Sequence, residues 1–303
     1  MTTKLAAGLL LTMASVGHAS DQAAGVILGV TGHVTVESHA GAPRPAALGM
    51  RLEAVDVVVV DRAATAEIYI KGGGVVRLRD ATRFEMPKAA AEAKQERLTS
   101  GSIAQLENGL WVLNDPKGSM LVSPMRGDAG WESGSVIPLS PRYEALAAPS
   151  VAFVWSGGPA KARVVVAKRR RVIWKSEASA PGTPLDPGAS LPLTAGEVYT
   201  WWLEPDAGGP PLTAGMPFRV ADAEVLARTK SVEAELDALY GADGGAAANY
   251  LRIAHYAGAG NWTRVLGLAS RMPSGDARDR ALSAATSGLR LDAPTAAELA
   301  THL

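Results

Sequence analysis

The chain has 303 residues, 47% of them hydrophobic, with 30 Lys and Arg set against 30 Asp and Glu and no cysteine. That length and apolar content suit two or three small domains with real cores and exclude a disordered chain. Zero net charge excludes a whole-molecule field for gathering nucleic acid or an anionic surface, so electrostatic partners belong to local patches, and the lack of cysteine excludes disulfide staples and thiol nucleophiles.

The first residues read Met1-Thr-Thr-Lys4, an apolar run over residues 5–16, then Gly17-His18-Ala19 before Ser20. A basic start, a short greasy middle and small residues at the cut predict a signal peptide over residues 1–19, cleaved after Ala19. The run is too short for the ~20 residues of a membrane-spanning helix, and no later segment is long and apolar enough. A periplasmic location follows for a Gram-negative source.

Residues 24–137 read as a β-module. Val34 and Val36 point one way while His33, Thr35 and Glu37 point the other, because side chains alternate along a strand. A loop over residues 39–45 turns the chain, and Val57-Val58-Val59-Val60 is the continuous β-branched run expected of a strand covered on both faces. Ala66, Ile68 and Ile70 then alternate with a wet set, Thr65, Glu67, Tyr69 and Lys71. Gly72, Gly73 and Gly74 make the next turn, since glycine takes positive φ freely, and lead into Val75-Val76-Arg77-Leu78.

On these residues the module resembles the FecR periplasmic domain. The likeness is carried by Ala24-Gly25-Val26, Gly32-His33-Val34-Thr35-Val36, the stretch 52–60 with Asp56, the strand 64–70 and the glycine turn into Val75-Val76-Arg77-Leu78. It departs at Val55, where glycine is usual before the aspartate, and at Gly73-Gly74, where the turn is usually polar. It continues through Leu98-Thr99-Ser100-Gly101 and Val122-Ser123-Pro124 to Arg126-Gly127-Asp128, read as a strand start and not as an adhesive tripeptide. The resemblance implies a role in reporting the state of an outer-membrane receptor to a sigma factor. That wiring needs a cytoplasmic segment and a membrane span ahead of the domain, and here an export signal precedes it directly.

At residues 138–142 the composition shifts, and residues 141–149 read as a linker or a loop leading into a second β-unit. Over residues 150–221, Val151, Phe153 and Trp155 alternate, as do Val164 with Val166, Val172 with Trp174, Tyr199 with Trp201 and Leu203, and Phe218 with Val220. Short alternating strands between Gly and Pro clusters predict a small antiparallel sandwich, and the pattern resembles an immunoglobulin-like or fibronectin-like domain. Trp155, Trp174 and Trp201 are in phase with the apolar faces and read as core, while Trp202 is the better candidate for exposure. Lys168, Arg169, Arg170 and Arg171 fall at a hairpin tip, with no acidic residue between Gly157 and Ser176. They form the one candidate docking patch, either a solvated tip or a contact for an anionic partner.

Residues 222–303 change to a helical period. Val225, Val232, Leu236 and Leu239 share a stripe, closed by glycines over 241–245. Ala247, Tyr250, Leu251 and Ala254 make a second helix. Asn261 caps a third that Pro273 stops, and residues 276–287 make a fourth with Gly288 as its stop. The short Ala-rich helices resemble tetratricopeptide-like hairpins.

Chemistry-bearing patterns are sparse. His33, His39, His255 and His302 lack a second ligand at metal spacing, Gly101-Ser102 and Gly134-Ser135 lack a nucleophile-elbow context, and Gly72-Gly73-Gly74 precedes a strand and not a phosphate-binding helix. Glu67 and Glu85 read as solubility on wet strand faces. No catalytic residue, cofactor or metal is expected. The reading is a mainly β protein with an α-helical C-terminal region, serving as a non-enzymatic exported envelope interaction or scaffold protein. Its expected partner is a protein or envelope polymer, not nucleic acid. The alternatives are a periplasmic part of FecR-type sigma-factor signalling and an envelope glycan-binding module.

Overall fold

The computed structural model describes residues 23–38, 41–72, 74–86, 96–97, 100–114, 136–146, 151–241 and 244–303. The signal-like leader, His39, Gly73, Val122-Ser123-Pro124 and Arg126-Gly127-Asp128 therefore lie outside the described residues. Those described form a β-rich chain with four mostly antiparallel sheets and a helical C-terminal region.

The first sandwich faces two sheets. One holds β1 (Ala23–Thr31), β4 (Arg51–Glu53), β6 (Thr65–Ile70), β7 (Gly74–Arg79) and β9 (Glu96–Arg97) in the order β4-β1-β6-β7-β9. The other holds β2 (Val34–Glu37), β3 (Arg44–Pro45), β5 (Val57–Val60) and β8 (Thr82–Glu85) in the order β3-β2-β5-β8. Ile27, Ile68, Val76, Val36, Val58 and Phe84 fill the space between them. The run Val57–Val60 is buried only at Val58 and Val60. Its expected double cover is absent because β5 packs on the first sheet through one face and turns the other toward water.

The doubly covered strand is β1, where Val26, Ile27 and Leu28 are all fully buried. Ile27 points into the sandwich, while Val26 and Leu28, with Tyr69 and Val75, point into a second core built by helices. Tyr69, expected on a wet face, is fully buried there, and its hydroxyl donates to Glu107 Oε1 at 3.1 Å.

Glu107 belongs to α1 (Ser100–Asn114), a helix the sequence reading missed. Five further helices follow the second sandwich: α2 (Ala223–Tyr240), α3 (Gly245–Ala259), α4 (Trp262–Ser270), α5 (Asp276–Leu289) and α6 (Ala293–Ala300). Successive helices from α2 to α5 pack on one another, and α1 inserts beside α3. Two glycines permit that approach: a Cβ at Gly109 would lie 1.6 Å from Ala254 O, and one at Gly258 would lie 2.0 Å from Gln105 O. Asn261 caps α4 as expected, its side chain accepting from the Arg264 backbone N–H at 3.3 Å. Gly288 does not stop α5. It lies inside the helix under the Trp262 ring, and Arg290, at φ 54°, supplies the left-handed cap.

The second sandwich joins a two-stranded sheet, β10 (Ile137–Ser140) and β12 (Val154–Ser156), to a five-stranded one. The larger sheet runs β11 (Ala145–Leu146), β16 (Met216–Val220), β15 (Val198–Pro205), β13 (Ala162–Lys168) and β14 (Arg171–Ser179). Trp155 and Trp201 are fully buried in its core, as expected, and Trp174 stacks on Phe153 from a half-buried position.

The described part of residues 141–149 is a seam and not a loose linker. Arg142 is fully buried and donates to Leu289 O at 2.9 Å and Arg290 O at 3.4 Å, the carbonyls ending α5, and to Pro138 O at 3.2 Å. A cation there meets the negative end of the helix dipole, and its guanidinium satisfies carbonyls that burial would otherwise leave unpaired.

Candidate functional site

The basic hairpin joins β13 to β14 through a two-residue turn, with Lys168 and Arg171 as the closing pair and Arg169 and Arg170 at its centre. Both central residues have positive φ, 48° and 68°. Such a turn matches the right-handed twist of the strands, and Asn-Gly or Gly-Gly ordinarily fills it, since a side chain in the left-handed region costs about 1 kcal/mol or more per residue. The tip therefore keeps two arginines where local energetics favour glycine.

The four cations are not equivalent. Lys168 Nζ lies 3.2 Å from Glu197 and 6.0 Å from the centre of the Tyr199 ring, half-buried at the rim of the core. Arg169 reaches the same carboxylate at 4.0 Å with 84% of its side chain exposed. Arg170 and Arg171 are exposed, and no carboxylate pairs with either among the described residues. The sequence placed no acid inside the hairpin, but Glu197, the residue just before β15, cancels part of the charge. The free positive charge is thus Arg170 and Arg171, with Arg169 loosely held.

Further along the outer face of the same sheet the charges are paired. Lys175 Nζ meets Glu204 at 2.7 Å, Arg163 meets Asp206 at 2.8 Å, and Trp202 is half-buried with its indole N–H donating to Glu204 at 3.1 Å. The Lys175 ammonium holds the Glu204 carboxyl below the usual carboxylate range.

A concavity of about 430 Å³ opens between the second sandwich and the helices and is lined in part by Glu144, Val154, Lys230, Glu233, Tyr256 and Arg264. Sequence reasoning did not single out Glu144, Lys230, Glu233, Tyr256 or Arg264, because they come from segments far apart in the chain. Glu144 is buried and accepts from the Thr263 backbone N–H at 2.9 Å and the Thr263 hydroxyl at 2.6 Å, at the start of α4. Burial pushes its carboxyl above the usual range, and the Thr263 hydrogen bonds work against that shift. The Tyr256 hydroxyl donates to Glu233, and burial together with that acceptor raises its pKa. Glu144 latches the sandwich to the helices, both its oxygens held by Thr263, while the Tyr256 phenol on α3 ties to Glu233 on α2.

The remaining histidines scatter. His33 Nδ1 pairs with Asp61 at 2.7 Å on the surface, and His255 is buried between α1 and α3. Among the described residues no group of three or more His, Asp or Glu side chains is placed to hold a metal ion, and no helix is long and apolar enough to cross a membrane. Glu67 is not a free surface carboxylate, since Arg77 pairs with it at 2.5 Å. Comparison with protein-family models, curated proteins and solved structures finds no match to this chain.

Proposed function

We propose that this chain is a non-enzymatic exported protein of the cell envelope, an interaction or scaffold component built on a FecR-like module, with the basic hairpin as its docking point. The observation that carries the reading is the pair of arginines held at positive φ on an exposed tip, with Arg170 and Arg171 unpaired. Backbone strain kept at an exposed site favours a function for the side chains that cause it. The seams at Arg142 and Glu144 support the scaffold part, since they tie the second sandwich to helices that themselves cover the first.

Fractionation with N-terminal sequencing of the mature protein tests the location: a start at Ser20 in a soluble periplasmic fraction is expected. An intact Met1 in the inner membrane would overturn it in favour of FecR-type signalling. In-cell crosslinking with Lys168, Arg169, Arg170 and Arg171 changed to Ser tests the docking point. Loss of the crosslinked species is expected, and an unchanged set removes the hairpin from the function.

A further inference from the structure

The unpaired charge at the tip has apolar company. Among the described residues four large apolar side chains are exposed, and two of them, Val172 and Val198, stand at this end of the sheet with 49% and 55% of their surface in water. The register puts both on the outward face. Ala167 pairs with Val172 on one side and with Thr200 on the other. Val198 lies two residues nearer the tip than Thr200, and the alternate residues Tyr199 and Trp201 point into the core. Strand spacing and rise place the two valines about 12 Å apart. Since the outer face further along is neutralised by the Lys175–Glu204 and Arg163–Asp206 pairs, free cations and exposed valines coincide at the tip.

We infer that this tip docks weakly and reversibly, end on, to an anionic lipid surface, a bilayer leaflet whose headgroups carry phosphate. The inference rests on the interaction-protein reading above and names the chemistry of its partner. Guanidinium groups match phosphate oxygens with two parallel hydrogen bonds each. A soluble anion or acidic polymer would engage the arginines and leave Val172 and Val198 in water. A leaflet covers both, because its apolar boundary lies just beneath the phosphates. Each basic residue near such a surface raises partitioning about fivefold at physiological salt, so Arg169, Arg170 and Arg171 support peripheral contact and not permanent anchoring.

The test is co-sedimentation of the mature protein with vesicles of phosphatidylcholine alone or mixed with phosphatidylglycerol, across a salt series. Binding to the mixed vesicles only, weakened by salt, is expected. Arg170→Ser with Arg171→Ser should weaken it about 25-fold and flatten the salt dependence. Val172→Ser with Val198→Ser should weaken it at every salt concentration without changing the slope. Thermal melts establish that these surface variants fold. No preference for the mixed vesicles, or a Val pair without effect, overturns the lipid assignment. If the crosslinked partners of the previous test still depend on the four basic residues, the interaction reading stands while the lipid assignment falls, and loss of both results removes both.

Discussion

Replacing Gly109 or Gly258 with alanine should destabilise the protein although each lies in a helix, where alanine is intrinsically favoured by about 1 kcal/mol. The new methyl would meet a backbone carbonyl of the facing helix at 1.6 Å from position 109 or 2.0 Å from position 258, whereas real contacts of this kind stay above 3.0 Å. A carbonyl in a helix cannot rotate away, so α1 and α3 must part by about 1.4 Å for Gly109→Ala, enough to forfeit half or more of each dispersion well across the contact. Leu106, Leu110 and Leu113 of α1 are fully buried there. Losing about half of the ~2 kcal/mol that each such side chain contributes costs about 3 kcal/mol, and overpacking strain adds to that. After the propensity gain, a net loss of about 2–3 kcal/mol remains, or about 5 °C in melting temperature for a chain of this size. Gly267→Ala in α4 is the control. Its nearest neighbour is the partly exposed Leu303 side chain at 3.3 Å, so it should be neutral or gain up to about 1 kcal/mol. Thermal and denaturant melts followed by circular dichroism read all three variants. A Gly109→Ala or Gly258→Ala protein as stable as the parent would refute the close helix crossing.

Changing Arg169 to Asn and Arg170 to Gly should raise stability by about 1–2 kcal/mol, because that pair suits the left-handed turn, while weakening docking about 25-fold; a denaturant midpoint at or below the parent's would show that the turn carries no strain. His255 is fully buried, and its pKa is lowered to about 4, by burial first and by Arg228 second. The unfolded chain therefore binds a proton there that the native state refuses between pH 6.5 and about 4, so acidification through that window should cost about 3 kcal/mol. His255→Gln should flatten that part of the stability profile, and a profile identical to the parent's would count against a neutral buried imidazole. Glu144 has the opposite sign. Its raised pKa makes the native state bind a proton more tightly than the unfolded one, so stability falls as pH rises from the ordinary carboxylate range to the raised value and is level above it. Glu144→Gln keeps an acceptor for the Thr263 N–H and should remove that fall, giving equal or greater stability at neutral pH in urea titrations; a variant markedly less stable there would mean that the ionised carboxylate is needed.

Much of the local structure is legible in the sequence. Period-two alternation marks β2, β6 and β15, because a strand with one wet face records its burial in every second residue. The tail's period and Asn261 announce helices and one cap. Residues 100–114 fail that test, since Ser100, Gly101, Asn108 and Gly109 look like loop chemistry, and Gly109 is used for a helix crossing visible only when α3 is present. Tyr69 and the run Val57–Val60 fail for the same reason in opposite directions: what covers the second face of a strand comes from elsewhere in the chain.

The hairpin divides in the same way. Position and charge of Lys168, Arg169, Arg170 and Arg171 follow from the sequence by itself, because flanking alternation and an acid-free interval are local properties. Which of them is free was decided by tertiary structure, since Glu197 reaches Lys168 and Arg169 from the turn leading into the neighbouring strand. Tertiary structure also decided that Val172 and Val198 share a face beside them, through a register that spans three strands. Composition and period determine which segments become strands and helices. Pairing and packing between distant segments determine which charges stay in water and which apolar groups are left uncovered.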